Sequence, residues 1–416
     1  MSRRPKIFIS AGEASGEHYG LLLIPALRRL APEAEFFGLG GQRMEALGFR
    51  RVVRAEDVAV MGITEVILHM PRIYGEYRRL KAAVRTEKPD VAVLIDFPDV
   101  NLSLAKHLRR AGVPVVYFVS PQLWAWKKYR IREVQKYVDR MVVIFPFEER
   151  FYLHHGVRAT FVGHPLADLA RPTVSREEFA REYGIGSSNL LDPAKPLDSA
   201  KPWIGLLPGS RLKEVRLNLP EMLKAASLLQ SQGDYEFLLP LAPTLTDEQR
   251  AEVEAMLRAA ATIAPRVRIT HDARATLQHA RASIVASGTA TVEAALIGNP
   301  FVVVYRVSPV SYAVAKRVVD VPHVAMVNLI AGRRAVPELI QGDFTAENVV
   351  SHVRPLLEEG QPRESMLGSL LEVSGMLKAV GNDGGKSAID RTARITMEVL
   401  EAGRQARREN QSREES

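Results

Sequence analysis

The chain has 416 residues, of which 46% are hydrophobic and 25% charged, and it contains no cysteine. This length is too great for a single core and suits two domains of about 200 residues each. The absence of cysteine excludes a disulfide framework, and the lack of a long apolar run argues against secretion and against a membrane-spanning segment.

The net charge of +8 arises in the N-terminal part of the chain. Residues 1–168 contain 26 Lys and Arg against 18 Asp and Glu, whereas residues 169–416 contain 30 of each. Such an excess attracts nucleic acid, an anionic membrane surface or a phosphorylated substrate. The basic residues are scattered, and no helix-turn-helix, zinc or RNA-binding signature accompanies them, so we predict no nucleic-acid partner.

Apolar strand-like segments alternate with helical patterns in the first part of the chain. This alternation predicts parallel strands joined by crossover helices, hence a doubly wound α/β domain, which we place at residues 1–168. The predicted strands are 7–10, 35–39, 91–96, 113–119, 141–145 and 160–162.

A glycine-bearing turn, residues 11–18, follows the first strand and opens a helix. It lacks the three-glycine dinucleotide fingerprint, and no acidic residue ends the second predicted strand. Both features disfavour a redox cofactor, so we predict none.

Two carboxylates, Asp96 and Asp99, follow the strand at 91–96 and flank Phe97 and Pro98. One carboxylate in a partly apolar setting can remove a proton from an attacking hydroxyl. Alternatively, both cap the helix that starts near Val100, and Asp99 is the better placed for capping. No His or Cys accompanies the pair, so we predict no metal.

Two further segments of the first domain combine apolar and basic residues. Residues 61–74 are rich in large apolar residues, Pro71 is expected to interrupt their helix, and basic residues follow. This segment is either an interfacial membrane element or a core helix with a solvated face. The aromatic residues Trp124, Trp126 and Tyr129 stand beside Lys127, Lys128 and Arg130, and either line an acceptor pocket or wedge a loop.

A second strand-helix alternation follows a linker-like stretch near residues 184–202. It predicts a second doubly wound domain at residues 169–384 and a ligand cleft between the two domains, beyond the carboxyl ends of their strands. The predicted strands are 203–207, 237–241, 267–270, 284–286 and 301–305.

The small-residue loop 287–291 lies between a strand and a helix of this second domain. Gly288 allows close backbone approach, Thr289 or Thr291 is expected to cap the helix, and its first N–H groups favour a diphosphate. Glu293 suits ribose hydroxyls, so the segment indicates a nucleotide diphosphate, with an ordinary capped helix as the alternative. Arg211 follows the first strand of this domain and can neutralise diphosphate oxygens, unless it only pairs with Glu214.

These motifs, in this order, resemble the lipid-A-disaccharide synthases, inverting glycosyltransferases of the two-domain GT-B architecture. The resemblance covers roughly residues 5–400. The segments that carry it are 11–17, 60–62, 95–101, 119–126, 161–165, 207–211, 287–293 and 328–333.

The resemblance implies transfer of a 2,3-diacylglucosamine unit from UDP to 2,3-diacylglucosamine 1-phosphate, which gives a β-1,6-linked disaccharide and UDP. It implies that Asp96 is the base and that Gly12, Ser15, Gly16 and Glu17 line the cleft. The residues implied to bind the UDP donor are Ser210, Arg211, Ser287, Gly288, Thr289, Ala290, Thr291, Glu293 and Asn328.

The resemblance also implies peripheral contact with the anionic cytoplasmic face of the inner membrane and a C-terminal helix, at about 385–405, that crosses back to the first domain. Residues 406–416 are expected to be a disordered tail, and 189–201 an insertion. A homodimer is left open. Two alternatives remain: a UDP-sugar epimerase of similar architecture, and a non-catalytic sugar-nucleotide or lipid-binding protein.

Overall fold

The computed structural model describes residues 4–58, 63–169, 171–185, 201–318, 321–379 and 386–414. The chain divides into two compact units. Unit 1 comprises Met1–Asp168 and Leu377–Ser416, and unit 2 comprises Leu169–Met376. The predicted insertion at 189–201 lies, apart from Lys201, outside the described residues.

Unit 1 contains a seven-stranded parallel sheet of order β3-β2-β1-β4-β5-β6-β7. This is the doubly wound α/β topology expected from the alternating pattern. Its strands are β1 Lys6–Ala11, β2 Glu35–Gly40, β3 Phe49–Arg54, β4 Val91–Ile95, β5 Val115–Phe118, β6 Arg140–Val143 and β7 Ala159–Phe161.

Helices cover both faces of this sheet because successive strand residues point to opposite sides. On β4, Val93 and Ile95 join the core beneath the first helix, whereas Ala92 and Leu94 join the core on the other face. The helices are α1 Ala14–Leu30, α2 Gln42–Glu45, α3 Ala55–Val58, α4 Ile63–Glu87, α5 Pro98–Arg110, α6 Ile131–Tyr137 and α7 Pro146–His154.

The helix α4 continues through Pro71, which corrects the predicted interruption. Proline removes one backbone hydrogen bond, and the remaining bonds of a 25-residue helix carry it past that point. The side chains at 63–73, on which the predicted interfacial element depends, lie outside the described part of the structure.

The last helix of the chain, α17 Ala388–Glu414, packs on α1 and belongs to unit 1. Ala393 and Leu400 are buried in the core that α1 also covers. Asp90, at the start of β4, accepts hydrogen bonds from Arg404 and from the backbone of Lys6. The helix extends to Glu414, so the predicted disorder of 406–416 is wrong for most of that segment, which is rich in helix-forming Arg, Gln and Glu.

Unit 2 contains a six-stranded parallel sheet of order β10-β9-β8-β11-β12-β13. Its strands are β8 Trp203–Leu207, β9 Glu236–Pro240, β10 Val267–Thr270, β11 Ala282–Ala286, β12 Phe301–Tyr305 and β13 Glu338–Ile340. Its helices are α8 Arg176–Tyr183, α9 Leu212–Gln230, α10 Asp247–Ala260, α11 Ala273–His279, α12 Thr289–Ile297, α13 Pro309–Val318, α14 Met326–Ala331, α15 Ala346–Leu357 and α16 Gln361–Met376.

Candidate functional site

The carboxyl end of β4 carries a strained corner. Asp96 and Phe97 both adopt the left-handed backbone conformation, with φ of 47° and 50°. For residues other than glycine this conformation costs of order 1–3 kcal/mol each, and it persists only where the surroundings enforce it. Pro98 then begins α5.

Buried polar groups enforce this corner. The Tyr117 hydroxyl and the Asn101 amide each donate to the carbonyl oxygen of Asp96 at 2.7 Å. The Asn101 amide also donates to the carbonyl of Ile95 at 3.1 Å, and its oxygen accepts from the Ser10 hydroxyl at 2.6 Å. The side chains of Tyr117, Asn101 and Ser10 are fully buried. No sequence motif singles out Tyr117, because its role depends on the pairing of β4 with β5.

The carboxyl group of Asp96 suits a general base. Desolvation by burial, followed by the negative charge of Glu13, raises the pKa of Asp96 to about 6. Hydrogen bonds from the Phe97 backbone and the Ser15 side chain partly oppose this rise. A carboxylate with a raised pKa accepts protons more readily than an exposed aspartate and is still ionised at neutral pH.

The turn after β1 lies beside this corner because Ala11 pairs with Ile95 in the parallel sheet. A Cβ atom on Gly12 would lie 2.3 Å from the Phe97 ring, so the ring occupies the space that a side chain at position 12 would need. Ser15 hydrogen-bonds to the Asp96 carboxyl group, and Gly12 and Gly16 lie close to the Phe97 ring and the Ile95 carbonyl, respectively.

Glu17 has a different environment from the one predicted. Its carboxylate accepts from the backbone N–H of Arg43 at 3.1 Å and pairs with the Arg43 guanidinium at 3.2 Å. Only 15% of the Glu17 side chain is exposed. We therefore assign Glu17 to holding α2 in place and no longer to the binding surface.

The loop after β5 is organised by Glu148, a residue that sequence reasoning missed. Its buried carboxylate accepts from the Ser120 hydroxyl at 2.8 Å, the Trp124 indole at 3.1 Å and the Phe145 backbone at 3.2 Å. Burial raises the pKa of Glu148 to about 7, and these donors oppose the rise. Trp124 therefore wedges this loop, whereas Trp126 is 40% exposed.

Asp99 makes no capping hydrogen bond to α5, because Phe97 is the N-cap residue. Its carboxylate instead lies 2.5 Å from Arg130 Nη1 and 3.6 Å from Lys127 Nζ. The expected capping role of Asp99 is thus wrong, and the carboxylate ties α5 to the loop that follows β5.

In unit 2 the loop at 287–291 connects β11 to α12. Gly288 is the N-cap residue, with φ of 149°, a conformation that favours glycine. Neither threonine caps the helix: the Thr291 hydroxyl donates to the carbonyl of Gly288 at 2.7 Å. The backbone N–H groups of Thr289 and Ala290 lie in the first turn of α12, where donors have no acceptor within the helix. They can therefore donate to an anion bound at the loop.

Glu293 lies in the second turn of α12 and is largely shielded from solvent. Desolvation by burial raises its pKa, the charge of Arg274 opposes this, and that of Asp272 adds to it. A shielded carboxylate of this kind needs donors, which ribose hydroxyls supply.

Arg211 follows β8, the strand next to β11 in the sheet, so its loop and loop 287–291 lie at the same sheet edge. Its side chain is 67% exposed, and its nearest nitrogen is 3.8 Å from Glu214, a weak surface pair. Glu214 instead accepts from the backbone N–H groups of Ser210 and Arg211 at 3.0 and 3.3 Å. The guanidinium is therefore available to a ligand.

Asn328 is not available for the donor contact that the resemblance implies. It is fully buried, accepts from the backbone of Ala335 and Val336, and donates to Val336 and Glu338. All four hydrogen-bonding positions of its amide are filled, so we assign it a structural role.

Glu338, which the sequence did not reveal, holds the neighbouring segment. It accepts from the backbone N–H groups of Val324 and Ala325, each at 3.0 Å. The Ser287 hydroxyl lies 3.3 Å from the carbonyl of Val324. Asn328 therefore contributes to the binding loop through Glu338 and Val324.

Within the described residues, no group of three or more His, Asp or Glu side chains is arranged to hold a metal ion. None of the helices formed by these residues is both long and apolar enough to span a bilayer.

Two Rossmann-like units in tandem, each with a parallel sheet and covering helices, are the architecture of the GT-B class. Residues 7–375 match the family described as lipid-A-disaccharide synthetase. A lipid-A-disaccharide synthase from Acidobacterium capsulatum is 63% identical, over 96% of this chain and 98% of the relative. The chain therefore belongs to the lipid-A-disaccharide synthase family.

Solved structures of low sequence identity share the fold alone. A glycosyltransferase from Rickettsia africae has a TM-score of 0.56 at 10% identity and covers 97% of this chain and 99% of its own. A UDP-GlcNAc 2-epimerase from Neisseria meningitidis, solved with UDP-GlcNAc, has a TM-score of 0.51 at 13% identity and covers 95% and 98%. Because both enzyme classes share this architecture, the family match, and not the fold, disfavours the epimerase alternative.

Proposed function

We propose that this protein condenses UDP-2,3-diacylglucosamine with 2,3-diacylglucosamine 1-phosphate to give the β-1,6-linked disaccharide 1-phosphate and UDP. The family match over residues 7–375 supports this reaction. The single structural observation that carries the proposal is the enforced corner at Asp96, where burial raises the pKa of a carboxylate to about 6.

In the proposed mechanism, the C6 hydroxyl of the acceptor attacks the anomeric carbon of the donor and inverts it. Asp96 takes the hydroxyl proton as the new C–O bond forms. The bond between the anomeric carbon and the diphosphate oxygen breaks, and its electron pair leaves with UDP. A positioned general base of this kind contributes about 10² to 10⁴ in rate.

Unit 2 is proposed to bind the departing UDP. Negative charge develops on the diphosphate, and the exposed guanidinium of Arg211 and the first N–H groups of α12 stabilise it. Glu293 is assigned to the ribose hydroxyls. The backbone N–H of Ser210 donates to Glu214, and this bond is proposed to keep Arg211 at the end of β8.

Two substitutions separate the roles of base and donor site. Asp96→Asn is expected to lower turnover by about 10² to 10⁴ and to leave UDP affinity unchanged. Arg211→Gln is expected to weaken UDP binding by at least about tenfold, because a charge-assisted contact is lost. The control for Asp96→Asn is Glu401→Gln, and the control for Arg211→Gln is Arg258→Gln; both control residues are exposed.

The measurements are mass spectrometry of the lipid product and calorimetric titration with UDP. Near-normal turnover of Asp96→Asn would refute the base assignment. Loss of both turnover and UDP affinity in that variant would make Asp96 structural. Incubation with UDP-sugar alone tests the epimerase alternative, which predicts an altered donor without acceptor. A non-catalytic binder would bind UDP and release none from donor plus acceptor.

We also propose that unit 1 contacts the anionic inner face of the cytoplasmic membrane. Support comes from the excess of 26 basic over 18 acidic residues in 1–168. Binding to vesicles with anionic lipid should weaken with added salt and fall when Ile67 and Leu68 become polar. Binding that is insensitive to both changes would refute the contact.

A further inference from the structure

We propose that Lys127 and Arg130 form the subsite for the phosphate group of the acceptor, and that Asp99 holds these two cations until the acceptor binds. This inference rests on the function proposed above and deepens it. It names the residues that recognise the phosphate group of the acceptor.

Both cations lie beside the corner that carries the base. Arg130 Nη1 is 2.5 Å from Asp99 Oδ1, and Arg130 Nη2 is 3.5 Å from the carbonyl oxygen of Pro98, two residues after Asp96. Lys127 Nζ is 3.6 Å from the same Asp99 oxygen. One carboxylate therefore gathers two cations at the start of α5.

The loop that carries the cations is ordered before any ligand arrives. Lys127 has a left-handed backbone, with φ of 53°, and its carbonyl accepts from the N–H of Arg130 at 2.9 Å. Its ammonium group lies 4.3 Å from the centroid of the Trp126 ring, and only 11% of the Arg130 side chain is exposed. Side chains fixed in this way lose little conformational entropy when they bind an anion.

The net positive charge of this loop favours the binding of a further anion. Residues 127–133 contain four basic residues and one acidic residue, Glu133, which lies 3.4 Å from Arg130. Asp99 is 73% exposed, so solvent screens its attraction for the two cations. A phosphate monoester brings up to two charges and three acceptor oxygens, and a guanidinium binds such a group with bidentate geometry.

The chemistry of the acceptor favours a cationic group near the base. The reactive C6 hydroxyl is carried by C5 and the phosphate by C1, the two carbons that flank the ring oxygen of one pyranose ring. When the hydroxyl is at Asp96, the phosphate must lie about one sugar ring away. The Asp99–Arg130 pair begins three residues beyond the base, across the corner made by Phe97 and Pro98.

Substitutions with opposite expected effects test the subsite. In steady-state assays of the full chain, with saturating donor and varied phosphorylated acceptor, Arg130→Gln should raise the acceptor KM by at least about tenfold. Asp99→Asn should lower that KM, because it removes the competing carboxylate. Lys127→Met should raise it by a smaller factor. The control Arg132→Gln, an exposed cation two residues further on, should change it little.

The outcomes distinguish the subsite from a structural ion pair. A higher acceptor KM in both Arg130→Gln and Asp99→Asn would show that the pair only shapes the loop, and would overturn the proposal. An unchanged KM in Arg130→Gln, or a lower kcat at constant KM, would also overturn it. Formation of the disaccharide by the wild type tests the proposed function separately. If the wild type forms no disaccharide, the proposed function is refuted. If it does, and Arg130→Gln has the wild-type acceptor KM, only the subsite is refuted.

Discussion

At the scale of single residues, the ionisation of Asp96 gives the first prediction. Burial raises the pKa of this carboxyl to about 6, and a general base must be deprotonated. We expect kcat/KM to increase with pH through about 6 and to level off above it, as measured in pH-rate profiles from pH 5 to 8. A profile that is flat between pH 5 and 7 would contradict the assignment.

Tyr117 gives a second prediction at this scale. Its hydroxyl is one of two donors to the Asp96 carbonyl, and Tyr117→Phe removes this bond without changing the packed volume. We expect kcat to fall by about tenfold with little change in either KM, because small displacements of a catalytic group are costly. The acidic limb of the pH profile should shift as well.

A matched control exists for Tyr117→Phe. Tyr152 is also fully buried, and its hydroxyl donates to the carbonyl of Pro121 at 3.1 Å. Tyr152→Phe should cost a similar amount of stability, about 1 kcal/mol, with a smaller loss of kcat. Equal losses of kcat in the two variants, with an unshifted pH limb in Tyr117→Phe, would reduce Tyr117 to a core residue.

At the scale of elements, the ion pair of Asp90 with Arg404 gives a prediction about α17. Burial disfavours the charged form of Asp90, but hydrogen bonds from Arg404 and the Lys6 backbone, with the charge of Arg407, lower its pKa overall. Because the folded-state pKa is lowered, Asp90 stabilises the folded protein at pH values above 3.8, its pKa in the unfolded chain. This stabilisation is lost as the pH falls through the folded-state pKa.

Asp90→Asn should therefore destabilise the protein at pH 7 by about 2 kcal/mol, since the arginines are partly exposed. The difference from the wild type should shrink in acid. Thermal unfolding at pH 7 and at pH 3 measures both values, with Arg408→Met, which removes an exposed cation of the same helix, as control. A difference that is constant with pH would contradict the linkage.

Prediction from sequence worked well for elements whose pattern is local. Of the thirteen strands in the described residues, eleven correspond to predicted apolar segments, and the missed ones are the edge strands β3 and β13. Exposed or partly exposed arginines interrupt the apolar pattern of β3, and β13 has only three residues. Both lack the continuous apolar run of a central strand, which is buried on both faces.

The same reasoning explains which site residues were predictable. Asp96, Arg211 and Ser287 follow central parallel strands, so they lie beyond the carboxyl ends of the sheets, where ligands are expected in folds of this type. Asn328 and Glu17 belong to recognisable motifs, but their hydrogen-bond partners are set by tertiary contacts. Glu148 carries no motif, and its role appears only when Ser120 and Trp124 are brought to it.

At the scale of the whole molecule, each unit has its own sheet, and α17 belongs to unit 1 although it follows unit 2 in sequence. Truncation after Met376 would expose the face of α1 that buries Ile24 and Leu27. Burial of apolar surface dominates folding free energy, so unit 1 should lose its cooperative unfolding transition. Unit 2, which keeps Arg211 and its whole sheet, should bind UDP as before.

Calorimetry and UDP titration of the truncated chain test this division. The control is truncation after Arg408, which keeps Arg404, Arg407 and Leu400 and removes the last residues of α17, among them the exposed Glu409 and Asn410. Loss of UDP binding together with the unit 1 transition would show that unit 2 does not hold its donor site independently. Retained UDP binding without turnover would mean that the donor site in unit 2 folds independently of unit 1, which carries the proposed base. The role of α17 would then be to complete unit 1, the unit proposed to bind the acceptor.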